Sequence, residues 1–428
     1  MEIVIQPLKS SRTSWLVYWI EFDEPVPQGN DFFLPTLLVV VDGNGVPVAA
    51  PTVMEELDQV RVETVLLRLF EKLGTPDRVQ VAASDDWDDA GWEGFAEEQR
   101  VEIKIQQMVS PDSGDPNALA GSVIARLAGP GVKRGPQVAQ GLLRSALKLR
   151  SLSRKEAHLR LAVSMDPDCS EARIELADME FQKGNWKACA ASYEEVISRE
   201  GRRFAAGVSE PWEDRSTRPY LRAIYGKAMT FWHRGRYAEA ASLLERLLVE
   251  NPKDNQGSRF FVPLLHLLAE DLPAAAAAFA GYAASYPQDY PEPALLFGWA
   301  LSLAMEGEES AAREKYREGI LRNLFIAPML LEEPPLPRHF WLPNDRAEAG
   351  YASEFVDSYA VLWDRESSAL RQLREIWHEM ESEVASLVAH RERMLDFQDQ
   401  RYEPDFKPLW QAMLDEDDRL SRSNVTNL

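Results

Sequence analysis

A short pattern built on glycine recurs along the chain, and it limits the fold more than any other sequence feature. In each copy a small residue lies seven positions before the glycine, and another lies five positions after it. An aromatic residue or leucine follows nine positions after the glycine, which is Gly184, Gly235 or Gly307. Glycine ends a helix by accepting a left-handed backbone, and paired small residues let two helices cross closely. The pattern predicts antiparallel helix pairs that repeat about every 34 residues.

Neighbouring segments extend this repeat. Residues 153–167 look like the second helix of an earlier pair, and residues 259–286 look like a degenerate pair. The chain thus resembles the tetratricopeptide repeat family over roughly residues 153–322. A narrower resemblance, over roughly residues 153–363, is to the suppression-of-tumorigenicity-7-like family of helical-repeat proteins. It rests on the segments Arg218-Pro219-Tyr220, Asn251 to Gly257 with Arg259, Asn323 to Leu331 and Glu348 to Trp363. The resemblance implies a scaffold and supplies no catalytic residue.

The first 107 residues show a different periodicity. Aromatic and β-branched runs alternate with turn residues there, as in strands, and two stretches repeat apolar residues at helical spacing. The predicted order is β-β-β-α-β-α-β, with a hairpin at Asp42-Gly43-Asn44-Gly45. We predict strands at 15–22, 35–41, 46–48, 78–83 and 101–105, and helices at 60–73 and 88–99.

The predicted fold class is α+β with several domains. A small mixed α/β domain (residues 1–107) precedes a linker rich in Ser, Asp, Pro and Gly (108–136), with a short helix at 118–127. An all-α tetratricopeptide-like solenoid follows (137–330), and then a C-terminal helical cap and tail (331–428). The pattern from Leu370 to Phe397 predicts one long helix that caps the solenoid. The alternative is a coiled coil with a second chain, so the oligomeric state stays open.

The charge of the chain limits the kinds of partner that it is expected to bind. The formal net charge of −22 repels nucleic acid. Residues 1–107 hold 20 acidic and 8 basic side chains, whereas residues 108–160 hold 3 acidic and 9 basic ones. The basic stretch is either a solvated helix face or a surface that docks on the N-terminal domain. We expect no membrane segment, because the longest apolar runs are about half the roughly 20 residues of a spanning helix. The two cysteines and the absence of a signal peptide fit the reducing cytoplasm.

Chemistry-bearing motifs are scarce. None of the six histidines precedes residue 158, so the α/β domain has no Ser–His or Cys–His pair. We therefore expect no enzyme activity and no cofactor. The alternative is a metal-dependent, ribonuclease-H-like N-terminal domain that the solenoid recruits, with Mg²⁺ on Asp42, Asp85 and Asp86. Ordinary turn and helix-cap roles are the competing interpretation of these aspartates.

The concave face of the repeats is the predicted site. In solenoids of this type the first helix of each pair lines the concave face. We expect a non-enzymatic scaffold that binds a protein or peptide there, since aromatic and arginine side chains dominate binding hot spots. For the rings, packing between helices is the alternative. The predicted groove residues are Arg222, Tyr225, Met229, Trp232, His233, Arg259 and Phe261, and Phe297 is the equivalent position farther along.

Overall fold

The computed structural model describes residues 14–22, 25–28, 31–84, 87–106, 134–204, 211–334, 336, 345–402 and 405–422. The chain forms two compact units, Met1–Glu200 (unit 1) and Gly201–Leu428 (unit 2). A sheet-containing region is followed by helices in a tetratricopeptide-like arrangement, which confirms the predicted fold class. Most of the predicted linker, including the helix predicted at 118–127, lies outside the described residues.

Unit 1 begins with a five-stranded sheet and a separate two-stranded ribbon. The sheet order is β5-β4-β1-β6-β7, with β1 antiparallel to β4 and parallel to β6. β2 and β3 form the ribbon. The strands are β1 (Ser14–Glu21), β2 (Val26–Gln28), β3 (Asp31–Phe33), β4 (Thr36–Asp42), β5 (Thr52–Met54), β6 (Arg78–Ala82) and β7 (Glu102–Gln106).

The predicted strand at 46–48 is wrong. The turn at Asp42 forms, but beyond it the structure has only a single bridge between Val41 and Pro47. β4 pairs instead with β5. Pro47 and Pro51 lack the N–H groups that a continuous ladder needs, so regular pairing resumes only after them.

The main core of unit 1 lies on one face of the sheet. Side chains alternate across β1, so Trp15 and Val17 face one side and Tyr18 faces the other. Helices α1 (Gln59–Leu73) and α2 (Asp89–Gln99) cover the Trp15 side with apolar residues such as Leu66 and Phe95. Three further helices lie in unit 1: α3 (Pro136–Ala146), α4 (Leu152–Met165) and α5 (Ser170–Gln182). The next helix, α6 (Trp186–Phe204), begins in unit 1 and ends in unit 2.

Buried polar groups attach the strands of unit 1 to helix α4. The Leu34 backbone N–H donates to Nε2 of His158 over 2.9 Å, and Nδ1 of the same ring bonds the Arg154 carbonyl over 2.8 Å. Arg154 also donates to the Leu34 carbonyl. At the start of β3, the Asp31 carboxylate accepts hydrogen bonds from Arg144 of α3 and from Lys148, which follows that helix. The basic stretch therefore docks on acidic and carbonyl groups of the N-terminal region, as the docking alternative predicted.

Unit 2 begins with three helix pairs. They are α7 (Arg218–His233) with α8 (Tyr237–Glu250), α9 (Ser258–Leu268) with α10 (Leu272–Ser285), and α11 (Pro293–Glu306) with α12 (Glu309–Arg322). The turn glycines Gly235 and Gly307 have φ of 69° and 82°, the left-handed conformation that the pattern requires. The small residues of the pattern are fully buried, as in Ala228 of α7 and Ala240 of α8.

The predicted cap is present, but the single helix expected from 370 to 397 is two helices. They are α16 (Ser367–Glu379) and α17 (Glu381–Gln398), with fully buried Met380 at the break. Ion pairs Arg313–Glu379 and Arg317–Glu383 hold both sides of the break to α12. The other elements are α13 (Ile326–Leu330), a 3₁₀ turn (Asp345–Ala347), α14 (Ala349–Tyr359), α15 (Val361–Arg365) and α18 (Phe406–Arg422).

Candidate functional site

Helix α7 carries most of the predicted groove residues on one side. Pro219 in its first turn supplies a preset helical φ, and Gly235 follows its end. The positions 222, 225, 229, 232 and 233 recur at helical spacing and thus share a face. The first four are half-buried, and His233 is exposed. We call the side formed by the first helices α7, α9 and α11 the inner face.

Three of the predicted aromatic residues meet on this inner face. The ring centroids of Trp232 and Phe261 lie 5.6 Å apart, and those of Tyr225 and Phe261 lie 6.4 Å apart in an edge-on arrangement. Because Phe261 belongs to α9, the cluster joins two successive helix pairs. The arrangement combines packing between helices with partial exposure, so both interpretations of these rings apply.

Arg259 points elsewhere. Its Nε donates to Asp289 over 2.8 Å, and its Nη1 donates to Asp254 over 2.9 Å. The guanidinium also lies over the rings of Phe260 and Tyr286. Both carboxylates lie in loops between helix pairs, so Arg259 ties successive pairs together.

Helix α14 covers part of the inner face, a feature that the sequence prediction missed. The Tyr359 ring stacks on Trp232, with centroids 5.6 Å apart and planes 26° apart. Phe355 packs against Phe297 at 6.0 Å, and Phe297 is completely buried. The signal was the spacing of four between Tyr351, Phe355 and Tyr359, which places three rings on one side of a helix.

The contact between α14 and the inner face is mostly apolar, with one polar end. Tyr359 is 4 % exposed, and burial raises the pKa of its phenol. At the other end of α14 the Tyr351 hydroxyl donates to Glu292 over 3.3 Å, and Arg346 pairs with the same carboxylate at 2.6 Å. Burial raises the pKa of Glu292 despite this arginine. Such a face suits the binding of apolar and aromatic groups.

Of the three aspartates in the alternative metal site, only Asp42 lies within the described residues. Asp42 Oδ1 accepts the backbone N–H groups of Asn44 and Val46, each over 2.9 Å, so this carboxylate stabilises its own turn. Asp85 and Asp86 lie outside the described residues. Within the described ranges no three His, Cys, Asp or Glu side chains come together as metal ligands would.

A family model and a solved structure are similar to parts of this chain. Residues 215–255 and 225–290 match the model of the family described as tetratricopeptide repeat. These ranges span α7 to α10, so this part of the chain is similar to a tetratricopeptide repeat. The solved structure of YrrB, described as a TPR protein with an unusual peptide-binding site, is 17 % identical with a TM-score of 0.32. That match covers 42 % of this chain and 84 % of the other.

No curated protein matches the chain. The narrower resemblance to the suppression-of-tumorigenicity-7-like family therefore stays a prediction. Among the described helices, none has the length and apolar character needed to cross a membrane.

Proposed function

We propose that this chain is a non-enzymatic scaffold that holds a protein or peptide on the inner face of its repeats. The observation that supports this most directly is the half-buried cluster of Tyr225, Trp232 and Phe261 beside exposed His233. Large rings that keep part of their surface in solvent are typical anchors of protein interfaces. Arg222 and Met229 border the cluster on the same side of α7.

The partner binds beside α14 and leaves that helix in place. Full burial of one large apolar side chain is worth about 1.5–3 kcal/mol. Release of α14 would expose at least Phe355 and Tyr359, which are 3 % and 4 % exposed. The two rings together would cost about 3–6 kcal/mol, or roughly two to four powers of ten in affinity. A partner that uses the remaining surface avoids this cost.

The proposal includes the cellular compartment of the scaffold. Cys169 and Cys189 are both buried and form no disulfide. Unbridged cysteines are the rule in the reducing cytoplasm, and we assign the scaffold to that compartment.

Charge substitutions on the inner face test the proposal. The full chain is used to capture partners from lysate, with quantification by mass spectrometry, and the variants are Met229→Glu and His233→Glu. The matched control is Val249→Glu, since Val249 is a 79 % exposed apolar residue on a second helix, α8. We expect recovery of a specific partner to fall at least about tenfold in the two inner-face variants, because each introduces a desolvated charge at the interface.

Circular dichroism is used to check that each variant is folded. A partner that is captured equally by the wild type and both inner-face variants would refute the assignment to the inner face. A partner lost equally with Val249→Glu would show that the effect does not depend on this face.

A further inference from the structure

A cavity of about 390 Å³ lies in unit 2 apart from the aromatic cluster. Its walls come from the loop before α11, the end of α12, the 3₁₀ turn, and helices α17 and α18. Four arginines and two aspartates line it: Arg322, Arg346, Arg391, Arg422, Asp417 and Asp418. This concentration of arginine is unusual in a chain with a net charge of −22.

Arg322 is the last residue of α12 and is nearly removed from solvent. Its side chain is 8 % exposed, and its Nη2 donates to Glu318 over 3.0 Å. Its Nε and Nη1 are buried and have no acceptor among the described residues. Burial, and then repulsion from Arg422, lowers the pKa of Arg322 to about 9. The guanidinium also lies over the ring of Tyr290. Even so, two nitrogens of this buried cation have no acceptor to offset the loss of solvent among the described residues.

Arg391 in α17 contributes a second buried guanidinium. Its side chain is 2 % exposed. Nε donates to Asp417 over 2.9 Å, and Nη2 reaches Asp417 at 3.3 Å and Ser421 at 3.4 Å. Nη1 is buried and has no acceptor among the described residues. The two arginines both line the cavity, and together they hold three such donor nitrogens.

Native proteins leave few buried donors without a partner, and charged donors least of all. We propose that this cavity is a binding site for a carboxylate group attached to an apolar or aromatic body. Arg322 and Arg391 bind the carboxylate, and the apolar part lies against Pro291, Pro293 and Leu414, which also line the cavity. The site is independent of the inner face, so neither proposal depends on the other.

The surrounding charges favour a carboxylate over a phosphate. Asp417 and Asp418 pair with Arg391 and Arg422, while Glu318 and Glu292 pair with Arg322 and Arg346. Lys315 also pairs with Glu318, so five positive and four negative groups give a formal sum of +1. A monoanion neutralises this cluster, whereas a dianion leaves it one charge negative beside two lining aspartates.

Calorimetric titration of the full chain tests the site with matched small probes. The probes are phenylacetate, its neutral analogue phenylacetamide, and inorganic phosphate. We expect saturable binding of phenylacetate and at least about tenfold weaker binding of the amide, since the charge-assisted hydrogen bonds are lost. Equal binding of acid and amide, no binding of the acid, or tighter binding of phosphate would each overturn the proposal.

Two variants place the binding in the cavity. Arg322→Gln removes the charge from the wall, and Arg419→Gln is the control on α18, with a side chain that is 66 % exposed. We expect phenylacetate affinity to fall at least about tenfold in Arg322→Gln and to stay unchanged in Arg419→Gln. The melting temperature without ligand is expected to stay the same or rise in Arg322→Gln, because a poorly compensated buried charge is removed. A lower melting temperature with unchanged affinity would mean that Arg322 is only structural, and would overturn the proposal.

Two kinds of ligand carry such a carboxylate: a small organic acid and the C-terminus of a polypeptide. Contacts with the two arginines do not distinguish between them. A short peptide that ends in phenylalanine, compared with its C-terminal amide, distinguishes them. Tighter binding of the free-acid peptide than of phenylacetate, dependent on Arg322, identifies the polypeptide source and supports the site. If phenylacetate binds and the free-acid peptide does not, the source is a small acid, and the site is again supported.

Discussion

Each of the two units attaches an added segment to its helices, and they do so by different physical means. In unit 1 buried hydrogen bonds join Leu34 to His158 and Arg154 of α4. In unit 2 stacked rings join α14 to the inner face, as with Tyr359 on Trp232. Hydrogen bonds depend on the protonation and position of single atoms, whereas ring packing depends mainly on the apolar area buried.

This difference predicts that the two attachments fail in different ways. The polar attachment should be sensitive to pH and to the loss of a single acceptor. The ring stacking of the aromatic attachment should not depend on pH, and it should tolerate the loss of a hydroxyl but not the loss of a ring. Within that attachment, pH should act only on the polar end at Glu292. Hydrogen exchange measured separately over residues 134–204 and 211–422 distinguishes the two units.

The largest effect is expected from truncation of the ring of Tyr359. Tyr359→Ala should destabilise unit 2 by about 3–5 kcal/mol, as for other large-to-small core changes. Tyr359→Phe is the matched control: the Tyr359 Oη is buried without a hydrogen-bond partner among the described residues, so its removal should be neutral or slightly stabilising. Urea unfolding and exchange over 211–422 measure both. Equal destabilisation by the two variants would show that α14 is held by the hydroxyl and contradict the comparison.

The next effect is the pH dependence of unit 1. Burial lowers the pKa of His158 from 6.5 to about 4, so the folded ring stays neutral while the unfolded ring takes up a proton. Stability from this residue is therefore complete above about pH 6.5 and is lost as the pH falls towards 4, by about 3 kcal/mol in all.

The His158→Gln variant isolates that effect, because glutamine keeps an acceptor for Leu34 and does not titrate. The wild type should become less stable relative to this variant as the pH falls from 6.5 to 4, when exchange over residues 134–204 is measured. A constant difference between the two proteins across this range would show that His158 is not held neutral.

The smallest effect tests a single polar acceptor. Glu56 is buried, and one of its oxygens accepts the backbone N–H groups of Arg150 and Ser151, each over 2.7 Å. Glu56→Ala should destabilise the start of α4 by about 1–2 kcal/mol, and Glu56→Gln should cost less because its carbonyl oxygen still accepts. The neighbouring Glu55→Ala is the control. If hydrogen exchange at residues 150–155 is equal in all three variants, Glu56 does not contribute to the polar attachment.

Sequence periodicity predicted the helix pairs and many of their internal contacts. The Gly235 pattern placed Ala228 and Ala240 at the crossing of two helices, and both are fully buried. The candidate site was predicted less completely. Spacing along α7 put Tyr225 and Trp232 on one face, but it could not show that Arg259 forms ion pairs with Asp254 and Asp289.

Sequence patterns did not predict two features of the structure. The partner of Tyr359 lies 127 positions earlier in the chain, at Trp232, and no periodicity connects them. The arginine cavity combines one side of α18, including Asp417 and Arg422, with residues of other elements such as Arg322 and Arg391, and no spacing connects those elements.

The sequence by itself determined the local structure of this protein: where helices pair, where they end, and which small residues lie between them. Those properties depend on side-chain size and backbone freedom within a few tens of residues. Only the tertiary structure decided what covers the inner face, how the strands attach to α4, and where buried guanidinium groups meet. These contacts join residues far apart in the chain, and their energies depend on burial and distance, which local patterns do not specify.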